Sequence, residues 1–294
     1  LIAAAVYVFA PYHLLNQYQR GAISEFTSFI WIPLCLLFTE KLIYRTDAEN
    51  AETAHGKRFL RLSFAGLAAS FGAFLWTHPP TAYQFLLVFG SCLAVSMVRA
   101  GKWRELGFVA VALIFGSMLA AAYFYPAIVE QKLVNSDDVE RVWPYHASYV
   151  FDYTQKVYDR IGNPFFIRLD RIWAFNLGAI LVCSIAALSF KQRRVRVWLW
   201  IAAGLLASFL MTKYSAPIGR FIPKIEIGVY SWRMLTLTSF AMAMLTGAIA
   251  DCGLRIADWR RAVALAVLVG VLAMSGYYVA WPMWRAQSFE PNLQ

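Results

Sequence analysis

The apolar positions of this chain fall in unbroken blocks of about 20 residues, the length a helix needs to cross ~30 Å of hydrocarbon. The blocks are continuous and not alternating, so they do not describe the strands of a transmembrane barrel. Backbone polar groups in lipid have to be satisfied within the chain, which makes each block a helix. The pattern predicts eight full spans: Ser24–Tyr44, Phe59–Trp76, Thr81–Val98, Glu105–Phe124, Ile172–Phe190, Val197–Met211, Met234–Ala250 and Ala262–Trp281. Val197–Met211 is short for a span. A ninth, partial one opens the chain: Leu1–Phe9 reads as the end of a helix whose start is missing. No Met and no basic stretch precede it, so it is not a secretory signal peptide, and residues 1–294 are expected to be the C-terminal part of a longer protein, forming one membrane domain.

Composition agrees with this reading. Hydrophobic residues make up 60% of the chain and charged residues 15%, against about half and a quarter in a soluble domain. The net charge of +10 is not the footprint of nucleic acid binding, because of where the charge lies. Fifteen of the 27 Lys and Arg residues sit in four short segments around alternate loops: Lys41, Arg45, Lys57, Arg58 and Arg61; Arg99, Lys102 and Arg104; Lys191, Arg193, Arg194 and Arg196; Arg255, Arg260 and Arg261. Read by the positive-inside rule, these loops are cytoplasmic, every span alternates correctly, and the C-terminus lies outside. Cys35, Cys92, Cys183 and Cys252 lack metal-ligand spacing and read as small packing residues.

The elaborated side is then the external one, with loops at about 10–23, 125–171 and 212–233. The longest carries six basic and seven acidic residues. Val150, Tyr153, Val157 and Ile161 recur at helical spacing in it, which predicts an amphipathic interfacial helix over His146–Ile161.

No Walker loop, no GxGxxG after a strand, no HExxH and no CxxC is present, and the four His residues are scattered. What remains is polar residues at the external ends of spans. Arg233, after Tyr230-Ser231-Trp232, reads either as an interfacial anchor or as a guanidinium suited to a phosphate. Arg20 and Glu25 flank the start of a span, where Ser24 can cap and Glu25 complements the helix dipole. The two can pair with each other, or serve a substrate hydroxyl and a phosphate. His78 sits in the tight turn Trp76-Thr77-His78-Pro79-Pro80. Glu130 and Lys132 follow Tyr125-Pro126 and can be an ordinary solvated pair. Tyr12, Tyr18, Trp76, Tyr125 and Trp232 accompany them, as an aromatic belt does. Such a ring of Arg, His and carboxylate among aromatics also suits a lipid phosphate head group that carries a sugar.

Several of these segments, in order, resemble a family of bacterial polytopic proteins catalogued as 6-pyruvoyl-tetrahydropterin synthase-related membrane proteins and grouped with the GT-C glycosyltransferases. They are Ala10-Pro11-Tyr12-His13, Tyr18-Gln19-Arg20-Gly21-Ala22-Ile23-Ser24-Glu25 and Pro33-Leu34; Thr77-His78-Pro79-Pro80-Thr81-Ala82; Tyr125-Pro126-Ala127-Ile128-Val129-Glu130; and Pro223, Tyr230-Ser231-Trp232-Arg233-Met234-Leu235 and Gly247. Pro79 stands where the family has Asn, and Ser231 where it has Pro. Nothing in the residues points to pterin chemistry.

The resemblance implies an all-α, GT-C-like transmembrane bundle in a bacterial inner membrane. It implies transfer of a sugar, on the external face, from a polyprenyl-phosphate donor to a lipid or glycan acceptor. In that chemistry a base deprotonates the acceptor hydroxyl, which displaces the lipid phosphate from the anomeric carbon, and positive donors meet the phosphate's developing charge. Arg233 is the first candidate for that role, with Arg20 and His78 behind it and Tyr12 and Lys132 near the substrate. Glu25 or Glu130 would orient hydroxyls or position a divalent ion. The main catalytic Asp of the family is expected upstream of Leu1. Two other readings stand beside this one: a transporter or flippase for lipid-linked saccharides, and a non-catalytic membrane scaffold subunit. Span interiors nearly free of charge favour surface chemistry over passage.

Overall fold

The computed structural model describes residues 1–45, 54–130, 148–152, 164–188, 194–219, 221, 230–251 and 259–280. The helices among them are, in chain order, α1 (Ile2–Val8), α2 (Pro11–Tyr18), α3 (Ile23–Ser28), α4 (Trp31–Arg45), α5 (Ala54–Thr77), α6 (Pro79–Phe85), α7 (Ser91–Arg99), α8 (Trp103–Leu119), α9 (Ala121–Val129), α10 (Pro164–Leu188), α11 (Arg194–Leu210), α12 (Ala216–Gly219), α13 (Leu235–Asp251) and α14 (Trp259–Ser275). Short 3₁₀ turns cover Lys213–Ser215 and Ser231–Met234, and wide π turns cover Leu86–Gly90 and Gly276–Ala280. No strand occurs among the described residues.

Among the described residues, six helical stretches are long and apolar enough to cross a membrane: Ile23–Ile43, Arg58–Thr77, Pro79–Arg99, Phe165–Leu188, Ser231–Ala250 and Trp259–Tyr278. Six of the eight expected spans thus have a helix of crossing length, and two do not. α8 has 17 residues, with Arg104 and Glu105 in its first turn. It stops at Ala120, whose N–H turns back to Gly116 and Ser117, and α9 restarts with Pro126 inside it. α11 also has 17 residues, but its apolar part begins only at Val197. Within Ile23–Ile43 the helix is interrupted between α3 and α4. Pro33 has no N–H to offer the carbonyl four residues back, and the turn closes instead through Phe29 N–H to Phe26 and Ile30 N–H to Thr27.

The described part of the expected interfacial helix is not helical at its start. Val150 and Phe151 form a turn, with Phe151 in the left-handed region at φ 54°. The Phe151 N–H is taken by Asp170 Oδ1 at 3.0 Å, and the Val150 N–H goes to the Met211 carbonyl. These tertiary bonds outcompete the local helical pattern. Residues 153–161 of that expected helix lie outside the described residues.

The contacts gather the chain into two compact units. The first comprises Leu1–Ile23, Val150–Thr212 and Leu235–Gln294; the second comprises Ser24–Tyr149 and Lys213–Met234.

In the first unit α13 is the hub, packed by α1, α10, α11 and α14. Small residues let the backbones approach. A methyl on Gly247 would fall 2.6 Å from Ala3 Cβ, and one on Gly204 would fall 3.1 Å from Ala241 Cβ. Packing of this kind replaces the hydrophobic effect where the solvent is itself apolar. Hydrogen bonds add to it: Asn176 Nδ2 donates to Thr238 Oγ1 at 2.9 Å and to Ser239 Oγ at 3.1 Å, all fully buried. α2 closes this unit at one end. Its His13 is buried, with the ring edge-on to Tyr7 at 4.5 Å.

In the second unit α5 packs between α4 and α8. The α5–α8 crossing is built on Ala68, Gly72, Ala112 and Gly116, two small-xxx-small pairs. A Cβ at Gly116 would lie 2.7 Å from the Ala68 carbonyl oxygen and 3.2 Å from the Gly72 nitrogen. Between α7 and α8, Gly101 adopts φ 70°. Its N–H bonds the Val98 carbonyl and the Lys102 N–H bonds Met97, a Schellman end that needs this left-handed residue.

Two outcomes follow. Gly116→Leu forces a side chain onto backbone and is expected to destabilise by about 1–3 kcal/mol. Gly107→Ala on the same helix, where a Cβ meets nothing within 4 Å, is expected to be neutral or stabilising. Thermal unfolding in detergent checks both, and equal effects at the two sites would refute the crossing. The second outcome concerns pH. Burial pushes the His13 imidazole down to about 3 from its usual 6.5, against a smaller upward pull from a hydrogen bond with the Tyr7 backbone. The folded chain then keeps His13 neutral where the unfolded chain protonates it. That stability is complete above about pH 6.5 and is lost as pH falls towards 3. His13→Phe is expected to flatten the acid limb of a stability–pH curve.

Candidate functional site

The site is built in the second unit, where the turn before α13 meets α3, α6 and Ser148. Ser231–Met234 forms a 3₁₀ turn, opened by the Arg233 N–H on the Tyr230 carbonyl at 3.2 Å, and it is tied down on two sides. Ser231 and Ser148, 83 positions apart and both buried, close a ring of three hydrogen bonds. Ser148 Oγ donates to Ser231 Oγ at 3.0 Å, the Ser231 N–H donates to Ser148 Oγ at 3.0 Å, and Ser231 Oγ donates to the Ser148 carbonyl at 2.5 Å. Gln84, at the end of α6 and fully buried, donates from Nε2 to the Tyr230 carbonyl at 3.2 Å. Its Oε1 meets no donor among the described residues. Tyr149 packs beside this anchor against Tyr83, Leu87 and Ala216.

Held this way, the turn stacks the Tyr230 and Trp232 rings face to face, with centroids 4.4 Å apart and planes 4° from parallel. The Arg233 guanidinium lies over the Tyr230 ring at 4.9 Å, a cation–π contact of about 1 kcal/mol or more where water is thinned out. Its Nε faces Glu25 Oε2 at 3.4 Å, with the two side chains 13% and 2% exposed. This is an ion pair largely withdrawn from water. Glu25 reaches it from the first turn of α3, where a carboxylate is also favoured by the helix dipole. Ser28 Oγ closes the other end of that short helix onto the Glu25 carbonyl at 2.6 Å.

His78 has a local role. Pro79 and Pro80 open α6 without N–H groups, so the first donor of the helix is Thr81. His78 Nδ1 accepts from the Thr81 N–H at 3.2 Å as the N-cap and lies 2.7 Å from Thr81 Oγ1. Accepting at Nδ1 places the proton of the neutral ring on Nε2. The helix it caps packs on the Arg233 turn through its far end.

The other residues singled out in the sequence are placed differently. Glu130 is exposed at the end of α9. Lys132 lies outside the described residues, as does Cys252. Tyr12 and Arg20 belong to the first unit, where Arg20 Nη1 donates to the Tyr12 hydroxyl at 3.3 Å and to Asn16 Oδ1. Of the candidates, the structure therefore brings Glu25 together with Arg233 in one unit and Arg20 with Tyr12 in the other. The sequence reading missed Gln84 and the Ser148–Ser231 clasp. A lone amide inside the apolar block Thr81–Val98 was the available signal for Gln84. For two serines no signal distinguishes them from any others.

Among the described residues no group of three or more His, Cys, Asp or Glu comes together to hold a metal ion. Comparison with family models, curated proteins and solved structures gives no match to this chain.

The pair itself is open to measurement. Glu25→Ala leaves a largely buried guanidinium without this carboxylate and is expected to cost about 3 kcal/mol. Adding Arg233→Met should recover most of that loss, read as the midpoint of thermal unfolding in detergent. A double variant as unstable as the two single losses added together would show that the two groups are not coupled.

Proposed function

We propose that this chain is the membrane module of a GT-C-type glycosyltransferase, which transfers a sugar from a polyprenyl-phosphate donor to a lipid or glycan acceptor at the external face of a bacterial inner membrane. The observation that carries the reading is the Arg233–Glu25 pair over the Tyr230–Trp232 stack. A fixed guanidinium beside stacked aromatic faces, at the start of an apolar span, has the chemistry to hold a lipid phosphate and an attached sugar.

In this reading Arg233 meets the charge that develops on the phosphate as the glycosidic bond breaks. Glu25 keeps the guanidinium aimed, because its carboxylate is committed to Arg233 and is a poor choice for the base. The Tyr230–Trp232 faces give the sugar an apolar wall, and the Gln84 and serine clasps keep the turn from moving when the donor binds. Preorganised charge of this kind is worth more in a dry site than in water, because no reorganisation is needed at the moment of reaction. Glu130 remains a candidate for orienting an acceptor hydroxyl. The resemblance of the four motif segments to the family named above supports the same reading, as does the contact between two of them through Glu25 and Arg233.

The test is transfer and donor binding in the intact protein reconstituted in lipid. Arg233→Ala, with unfolding checked separately, is expected to lower transfer by about 100-fold, the scale of losing one preorganised donor at a developing anion. Arg233→Lys should recover part of it, since it returns the charge without the planar fork. Full transfer and unchanged donor affinity in Arg233→Ala would remove the lipid-phosphate assignment.

A further inference from the structure

The first unit carries a second cationic group, far in sequence from the motif segments and not used by the proposed reaction. Arg168 and Arg171 are one turn apart on α10, about 4.5 Å along its axis, so they share a side of the helix. They lie in the first two turns of the apolar span Phe165–Leu188. An arginine at that depth is costly unless it reaches water or meets an anion.

Each bonds a neutral side chain. Arg168, half-buried, donates from Nη1 to Gln19 Oε1. Gln19 in turn donates from Nε2 to the Tyr278 carbonyl at 2.6 Å. Arg171, exposed, donates from Nη1 to the Tyr278 hydroxyl at 2.8 Å and lies over that ring at 5.9 Å. Gln19 therefore fixes one guanidinium and Tyr278 the other, with the two joined through the Tyr278 backbone. Among the described residues no carboxylate pairs with Arg168, which spends one of its five N–H donors on Gln19. Tyr278 ends the apolar span Trp259–Tyr278, and Tyr277 beside it is exposed, as aromatic residues are at the level of lipid head groups.

We infer that Arg168, Arg171, Gln19 and Tyr278 form a binding site for the head group of an anionic phospholipid. The phosphate oxygens would take the remaining donors of Arg168 beside the charge of Arg171, and the acyl chains would run down the apolar faces of α10 and α14. The chemistry that this group recognises is a phosphate ester. Its position at the rim of two apolar spans selects a lipid over a soluble phosphate, because only a lipid gains from the surface below. Of its four residues only Gln19 falls in a motif segment, and the inference does not depend on the proposed transfer reaction.

Native mass spectrometry of the intact protein in detergent, titrated with phosphatidylglycerol, phosphatidylcholine or glycerol 1-phosphate, tests this. The wild type is expected to retain phosphatidylglycerol in preference to phosphatidylcholine. Arg168→Gln/Arg171→Gln should bind it about 30-fold more weakly, since each arginine near an anionic lipid is worth about fivefold. Tyr278→Phe, which removes only the hydroxyl that holds Arg171, should weaken it by a smaller factor. Unchanged phosphatidylglycerol affinity in the folded double variant would overturn the site. Glycerol 1-phosphate competing at the same concentration as the lipid would overturn the lipid as its ligand. Should the double variant not fold, the wild type decides: equal retention of phosphatidylcholine and phosphatidylglycerol overturns the inference.

Discussion

A guanidinium withdrawn from water must be matched by an anion, and at Arg233 the match is Glu25. Much of the second unit's local structure serves that contact. α3 is a helix of six residues, too short to be stable by itself, and its first turn supplies the carboxylate. The 3₁₀ turn at Ser231–Met234 is no stronger as an isolated element. Its position comes from the Ser148–Ser231 ring of hydrogen bonds and from Gln84. Removing either member of the ion pair would take this counter-charge from the other in a place with little water to replace it, so the pair fixes two weak elements at once.

The helices that support this contact are assembled on a different principle. In an apolar solvent, helix association depends on close backbone approach and on a few hydrogen bonds. Ala68, Gly72, Ala112 and Gly116 provide the approach in one unit, and Ala3, Gly247, Gly204 and Ala241 provide it in the other. The buried amide of Asn176, bonded to Thr238 and Ser239, is the polar counterpart. Glu25, His78 and Arg233 sit where helices start or break, because there a polar group can be both held and reached. Proline sets several of these points: Pro33 separates α3 from α4, and Pro79 with Pro80 starts α6 and makes His78 its cap.

Local events of this kind were legible in the sequence. A block of apolar residues gives a helix wherever it is long enough, and a proline or a Gly-Lys turn marks its end. The all-helical class and six of the spans follow from that. Of the two spans without a helix of crossing length, Glu105–Phe124 is cut where α8 ends at Leu119, and Val197–Met211 is short already in its apolar block. The contact between Glu25 and Arg233 was not legible as a contact. Each residue alone reads as a cap or an anchor, and pairing across most of the chain has no local signature. The same holds for Gln84 with Tyr230, 146 positions away, and for the turn at Val150–Phe151, where a good helical pattern is overridden by Asp170 and Met211. Arg168 and Arg171 were visible as charges in a long loop. That α10 includes them became apparent only in the fold, which starts the helix at Pro164.

The proposed function requires the Arg233 site to recognise a phosphate carried on a long isoprenoid chain. The most direct measurement compares binding of a polyprenyl phosphate with that of the corresponding polyprenol to the intact wild-type protein, in the same detergent and at the same ionic strength. The phosphate is expected to add at least about tenfold in affinity, the contribution of one charge-assisted contact of roughly 1.4 kcal/mol or more, and the gain should disappear in Arg233→Gln. Equal affinity for the phosphate and the alcohol would contradict the account.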